Sequence, residues 1–157
     1  MNNVESGVRW LVILGVFGLI GCAGPKGAVH IRQFHLRALA SNTGGVGSIR
    51  AENLKRLHGA VSTEEQRNRL GHYYTIKWDG PTGRENEPVR IVFRYRQAAT
   101  GSEILRMEST APGGRKGKVE LRLIGPAYLE GGHVLSWHMS FYRGGDLIET
   151  RQSYLWE

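Results

Sequence analysis

Cysteine is nearly missing: Cys22 is the only one in 157 residues. No intrachain disulfide can form, and no cysteine-based zinc or iron–sulfur centre can be built from this chain alone. Other signatures are missing too. No apolar run reaches the roughly 20 residues of a spanning helix. The glycine-rich stretch 41–48, SNTGGVGS, lacks the Gly-Lys-Ser/Thr ending of a phosphate loop and the spacing of a dinucleotide turn, so it reads as a loop. There is no Gly-x-Ser-x-Gly elbow, no His-Glu-x-x-His pair, no internal repeat and no low-complexity tract.

The first 24 residues are organised. Residues 1–9 are polar and end in Arg9, with Glu5 leaving them only weakly basic. Residues 10–24, WLVILGVFGLIGCAG, are uncharged, and Pro25 and Lys26 end the run. Trp10 to Ile20 has the length of a signal-peptide apolar region, about 7–15 residues. A short uncleaved anchor is the competing reading. Leu19-Ile20-Gly21-Cys22 resembles the lipobox of bacterial lipoproteins: an aliphatic residue, a tolerant position, a small residue, then cysteine. The resemblance implies a diacylglyceryl group on the Cys22 thiol, cleavage between Gly21 and Cys22, and in Gram-negative species a further acyl chain on the new amine. It covers this segment only. Each buried CH₂ contributes about 0.8 kcal/mol, so two or three chains fix the protein to the bilayer. Lipid would also cap a thiol otherwise left reactive after export. Ala23 stands where an aspartate would signal inner-membrane retention, which implies the periplasmic side of an outer membrane, or the outer face of the cell membrane in a host with one membrane. The expected organisation is a signal peptide at 1–21, a lipidated tether at 22–28 and one domain at 29–157. The signal helix should pack loosely on the domain or not at all.

Formal net charge is +7, carried by 16 arginines and 5 lysines against 14 acids. Such a balance favours anionic partners. No recognition motif for nucleic acid accompanies it, and an exported protein rarely meets one, so nucleic acid is not expected. The arginine bias also fits a GC-rich genome.

Beyond the tether, 29–40 reads as a first strand whose alternation breaks near Gln33–Phe34, as at a bulge. Residues 49–58 suggest a short helix with Ile49, Leu54 and Leu57 inward. Ser62 and Glu65 form a capping box for a surface helix over 62–70, which Gly71 can close. From residue 72 the period becomes two. Tyr74, Ile76 and Trp78 share a face, as do Val89, Ile91, Phe93 and Tyr95. Residues 103–109 form a short strand. Val119, Leu121 and Leu123 face in, as do Leu135, Trp137, Met139 and Phe141. Arg143-Gly144-Gly145-Asp146 supplies a tight hairpin. About seven strands, mostly antiparallel, with one or two helices between the first two, predict a mainly β, two-sheet sandwich. Immunoglobulin-like topology is the first choice, a small barrel the second.

Candidate chemistry is sparse. His30 and His35 are five apart, as are His133 and His138; odd spacing on a strand sends each pair to opposite faces. With His58 and His72 they read as solvated or core residues, and no metal site is expected. Ser136, His138 and Asp146 lack any oxyanion hole, and Glu120 and Glu149 sit on polar faces. Arg90, Arg94 and Arg96 form a row at about 6.6–7 Å intervals along one strand face, able to grip carboxylates or phosphates. Lys118 or Arg122 would extend it if the strands were neighbours. A solvated face paired to Glu103, Glu108 or Glu120 is the competing reading. Tyr154, Leu155 and Trp156 are expected to pack on the core. The expectation is a non-enzymatic, membrane-anchored envelope lipoprotein without cofactors beyond its lipid. Its domain would bind another envelope protein, or alternatively anionic envelope polymer or lipid head groups through the arginines.

Overall fold

Alternating apolar residues build two antiparallel sheets. The computed structural model describes residues 29–38, 47–80 and 84–156. Gly21, Cys22, the leader, the tether and most of the 41–48 loop lie outside the described residues. The order is β1 (Val29–Leu36), α1 (Gly47–Leu57), α2 (Thr63–Asn68), β2 (Gly71–Asp79), β3 (Val89–Gln97), β4 (Leu105–Ala111), β5 (Lys116–Ile124), α3 (Pro126–Gly131), β6 (Val134–Arg143) and β7 (Asp146–Gln152). One sheet has the order β1-β2-β5 and the other β4-β3-β6-β7. The protein is therefore mainly β, with seven strands and three helices among the described residues.

The inner faces meet over one core. Tyr74, Ile76, Trp78, Leu121 and Leu123 come from the first sheet; Ile91, Phe93, Met139 and Phe141 come from the second. Rings touch across the gap: Tyr74 lies 4.5 Å from Phe93 and Trp78 lies 5.7 Å from Phe141. Burying each such side chain contributes about 1.5–3 kcal/mol. Gly117 leaves the room that the Trp78 indole fills, since a Cβ there would collide with the ring. Gly144 and Gly145, at φ 58° and 104°, make the β6–β7 hairpin. Beside it the buried Arg143 guanidinium donates to the carbonyls of Arg84 (2.9 Å) and Gly114 (3.1 Å), which satisfies its buried charge in part with backbone dipoles.

Several local expectations need correction. β1 holds its register with β2 from Val29 to Leu36, so there is no bulge at Gln33–Phe34. The alternation inverts because of what covers each face. Gln33 keeps to the side of Val29 and Ile31 but stands exposed at the rim of the core, where its Oε1 accepts from Trp137 Nε1 at 3.3 Å. Phe34 points outward under Arg56 of α1. No residue of α1 is buried, and Ile49 and Leu54 are exposed. The Arg56 guanidinium carries the contact instead, 3.8 Å from the Tyr73 ring centre and 5.0 Å from that of Phe34, with Glu52 and Glu120 as ion-pair partners. α2 begins with the expected capping box, but Gly71 opens β2 rather than closing the helix. Leu135 is exposed because a bulge at the start of β6 leaves it unpaired; Val134 takes the core position opposite Gln97. The third helix, α3, leaves no periodic signal in its six residues. Its start is set by Gly125 at φ 60° and Pro126 in the first turn.

Candidate functional site

The outer face of the four-stranded sheet collects cations. Because Val89, Ile91, Phe93 and Tyr95 point to the core, strand periodicity turns Arg90, Arg94 and Arg96 to the opposite side. β4 adds Arg106, directly across from Arg94, and Glu108, across from Val92. β6 adds His138 across from Arg94 and Tyr142 across from Arg90. Glu108 is the acid that serves this face: it lies 3.9 Å from Arg90 and pairs closely with Arg106. The Arg90 guanidinium also stacks over Tyr142, 4.2 Å from the ring centre. Arg94 is exposed and makes no ion pair among the described residues.

Residues 153–156 fold onto this same face. Ser153 N–H donates to the Trp137 carbonyl (2.9 Å) and its Oγ accepts from Trp137 N–H (2.9 Å). A turn then closes from Trp156 N–H to the Ser153 carbonyl (3.1 Å). The Trp156 ring lies 4.8 Å from the Arg96 guanidinium carbon and 5.7 Å from the His138 ring. Tyr154, at 98% exposure, and Leu155 project into solvent. The tail is thus a surface cover, not core packing, because β7 ends on the sheet's edge and the inner face is already filled. Beneath Trp156, Arg96 Nε and His138 Nδ1 are buried with no hydrogen-bond partner among the described residues. Burial, with Arg94 adding to it, lowers the His138 pKa and favours the neutral ring.

No family model, curated protein or solved structure matches this chain. Its chemistry therefore follows from the residues brought together. Arg90, Arg94 and Arg96 do share one face, and Arg106, His138, Tyr142 and Trp156 join them through pairings that sequence reasoning missed. Lys118 and Arg122 do not extend the row, since β5 belongs to the other sheet. Glu120 is committed to Arg56 and Arg122, and Glu149 accepts from Val29 N–H at 3.0 Å and pairs with Arg151. Neither is an ordinary solvated charge. Asp146 pairs with Arg84 at the hairpin end of β6, five residue steps from the level of His138 along the sheet. At about 3.3 Å per step, that is far outside triad distance from Ser136 and His138.

A second polar cluster lies at one end of the core. His35 and His72 stack at 4.0 Å, and both lie edge-on to Tyr128 of α3. With His133, Gln33 and Arg37 they line a cleft of about 530 Å³. Val134 N–H donates to His72 Nε2 (3.2 Å), and Arg37 Nε donates to His35 Nδ1 (3.2 Å). His35 Nε2 and Tyr128 Oη share a further hydrogen bond of 2.8 Å. Each ring nitrogen that accepts must be unprotonated, so both imidazoles are held neutral. Burial, then His35, His133 and Arg37, push the His72 pKa down to about 4; burial, then Arg37 and His133, lower that of His35. Odd sequence spacing correctly separates His30 from His35, but the cross-strand partnership of His35 and His72 is not visible in it. Among the described residues no three His, Cys, Asp or Glu groups are arranged to hold a metal ion, and no helix is long and apolar enough to cross a membrane.

Proposed function

We propose that this chain is a lipid-anchored, non-catalytic cell-envelope protein whose domain binds an anionic envelope polymer or lipid head group through the outer face of β4-β3-β6-β7. One observation carries the reading: Arg94 faces Arg106 directly across the sheet, between Arg90 and Arg96, with Glu108 as the neighbouring acid. Like charges directly opposite one another destabilise a sheet, so the arrangement gains little from folding alone and much from an anion laid along it. Guanidiniums suit this task because each offers a planar fork of donors to an oxyanion. The anchor rests on Leu19-Ile20-Gly21-Cys22, whose lipid would hold the face close to the membrane. An immunoglobulin-like sandwich is the proposed topology. It is supported by the way the chain leaves β1-β2 for β3-β4, returns to add β5 beside β2, and crosses again to β6-β7.

The test is binding of full-length protein in detergent to vesicles with and without anionic lipid, and to a soluble polyanion, across a salt series. Retention should fall steeply as ionic strength rises, since the contacts are screened charges. Arg94→Glu and Arg106→Glu should each weaken it. Retention that survives high salt and both reversals overturns the reading. A second reading, an adaptor for another envelope protein, is favoured by the unpaired edge of β7 with exposed Leu147 and Ile148 and the neighbouring Tyr154 and Leu155. In-cell crosslinking and co-purification with tagged protein, against a Cys22→Ser control, would then return a defined protein that charge reversal does not release.

A further inference from the structure

Trp156, the penultimate residue, sits over polar atoms that have no hydrogen-bond partner among the described residues. Arg96 Nε and His138 Nδ1 are both buried and, among the described residues, both unpartnered, and the ring that covers them is Trp156. A buried unmet donor or acceptor is costly, and native structures contain few. Two on one face under one side chain mark a place where a ligand atom belongs. Arg94 stands beside them, exposed and without an acid among the described residues. Its strand position puts it one alternate step from Arg96 and directly opposite His138.

We propose that Arg94, Arg96 and His138 form a subsite for a phosphoryl group, and that Trp156 is its displaceable cover. The inference rests on the anionic-ligand reading above and narrows it to one ligand chemistry and one position. Donors arrive from three directions: two guanidiniums along β3 and an imidazole from β6. A planar carboxylate is met by a single guanidinium fork, whereas a tetrahedral phosphoryl group offers oxygens to all three. Its charge also offsets the repulsion that Arg94 meets from Arg106 and gives His138 a reason to hold a proton. The cover is lightly held. The turn that carries it is closed by Trp156 N–H to the Ser153 carbonyl and by Gln152 Nε2 to the Trp156 carbonyl (3.3 Å), so the ring can swing out without opening the sheet.

The experiment uses the full chain in detergent micelles with ¹⁵N-labelled tryptophan. The Trp156 indole N–H signal, assigned by its loss in Trp156→Phe, is followed while inorganic phosphate is added. It is followed separately with phosphatidylcholine vesicles that do or do not contain phosphatidic acid. Titration calorimetry gives the affinities. Saturable movement of that signal is expected, with a loss of affinity of about tenfold or more in Arg96→Gln and Arg94→Gln. Trp156→Ala should bind several-fold more tightly, because nothing has to be displaced; a structural role for the ring would not produce that. A response to inorganic phosphate alone names a soluble phosphoryl ligand, and a response to phosphatidic acid alone names a lipid head group; both support the subsite. Saturable binding that is unchanged in Arg96→Gln, or weakened by Trp156→Ala, overturns it. If polyanion binding is also lost only through Arg90 and Arg106, the broader reading survives while the subsite falls. If no anion is bound by any arm, both fall together.

Discussion

Lowering the pH from 7 to 4 should remove a definite share of this domain's stability through His72. In the fold its pKa is near 4, held there by burial and by His35, His133 and Arg37 around it. In the unfolded chain the ring returns to about 6.5. The unfolded state therefore binds the proton first as pH falls. The contribution of His72 is complete above about pH 6.5, erodes as pH falls through about 4, and is gone below that. The full difference corresponds to roughly 3 kcal/mol, and the open cleft beside the ring, through which water and salt screen the charge, reduces it to about 2 kcal/mol. The structural cause is specific. Protonating Nε2 destroys the bond from Val134 N–H and places a cation against the stacked His35 ring. His35, also lowered, adds in the same direction. Asp79, Glu65 and Glu120, held below the usual carboxylate range in the fold, add to the loss in the same direction only as pH falls below about 5, so the slope between pH 5 and 7 belongs to the histidines. Urea unfolding of the full chain at half-unit steps between pH 4 and 7 measures the slope. His72→Phe should flatten most of it. An equal slope in the variant, or a His72 titration near 6.5 by NMR, would refute the reasoning.

Two further outcomes follow from side chains largely shielded from water. Arg56→Ala removes a guanidinium lying over two rings and bridging two acids, so it should cost about 2 kcal/mol. It should also raise hydrogen exchange across Gly47–Leu57, with Arg56→Lys recovering less than half, because a compact ammonium cannot stack on both rings. Tyr74→Phe deletes a hydroxyl that is buried in the core without a partner among the described residues, and should raise the melting midpoint by about 4 °C in a thermal scan; an unchanged or lower midpoint would mean that the hydroxyl is bonded.

What the sequence made legible is what repeats with period two. The core residues of β2, β3 and β5 and the Gly-Gly hairpin follow from alternation and turn chemistry, because each depends on neighbours close in the chain. The misreadings share the opposite property. Phe34 and Gln33 trade places because a helix more than ten residues further along covers one face and Trp137 waits on the other. Leu135 turns outward because of a bulge defined against β3. The histidine cluster needs β1, β2, α3 and the start of β6 at once. The arginine row was readable, being local to one strand. Its enlargement by Arg106, His138 and Trp156 was not, since sheet order decides it. A weak signal for Trp156 did exist: a tail with two aromatic rings beyond the last turn residue has to lie somewhere, and an inner face already filled by Phe93, Met139 and Phe141 leaves only the outside.

The two outer faces of the domain have opposite fates, and this bears on what Arg106→Glu should do without any ligand. On the three-stranded sheet, Arg56 of α1 lies on the face and the charges around it are paired, Arg56 with Glu52 and Glu120 and Glu120 again with Arg122, while further along Lys77 stands opposite Lys118. On the outer face of the four-stranded sheet no described helix packs, and one carboxylate, Glu108, is shared by two arginines while a third faces Arg106 across the strands. Cross-strand pairs of opposite charge are worth roughly 0.2–1 kcal/mol relative to neutral ones, and like pairs cost a similar amount. Arg106→Glu gives Arg94 an acid directly opposite, at the expense of the Arg106–Glu108 pair and with a new repulsion between the two glutamates. Arg90 and Arg94 flank that pair, so the net effect on the free domain should be neutral to slightly stabilising, within about 0.5 kcal/mol. The same substitution should lose anion binding. A variant that keeps its stability and loses its ligand separates a face kept for binding from one kept for folding; a variant that loses both would mean that the arginines serve the sheet itself.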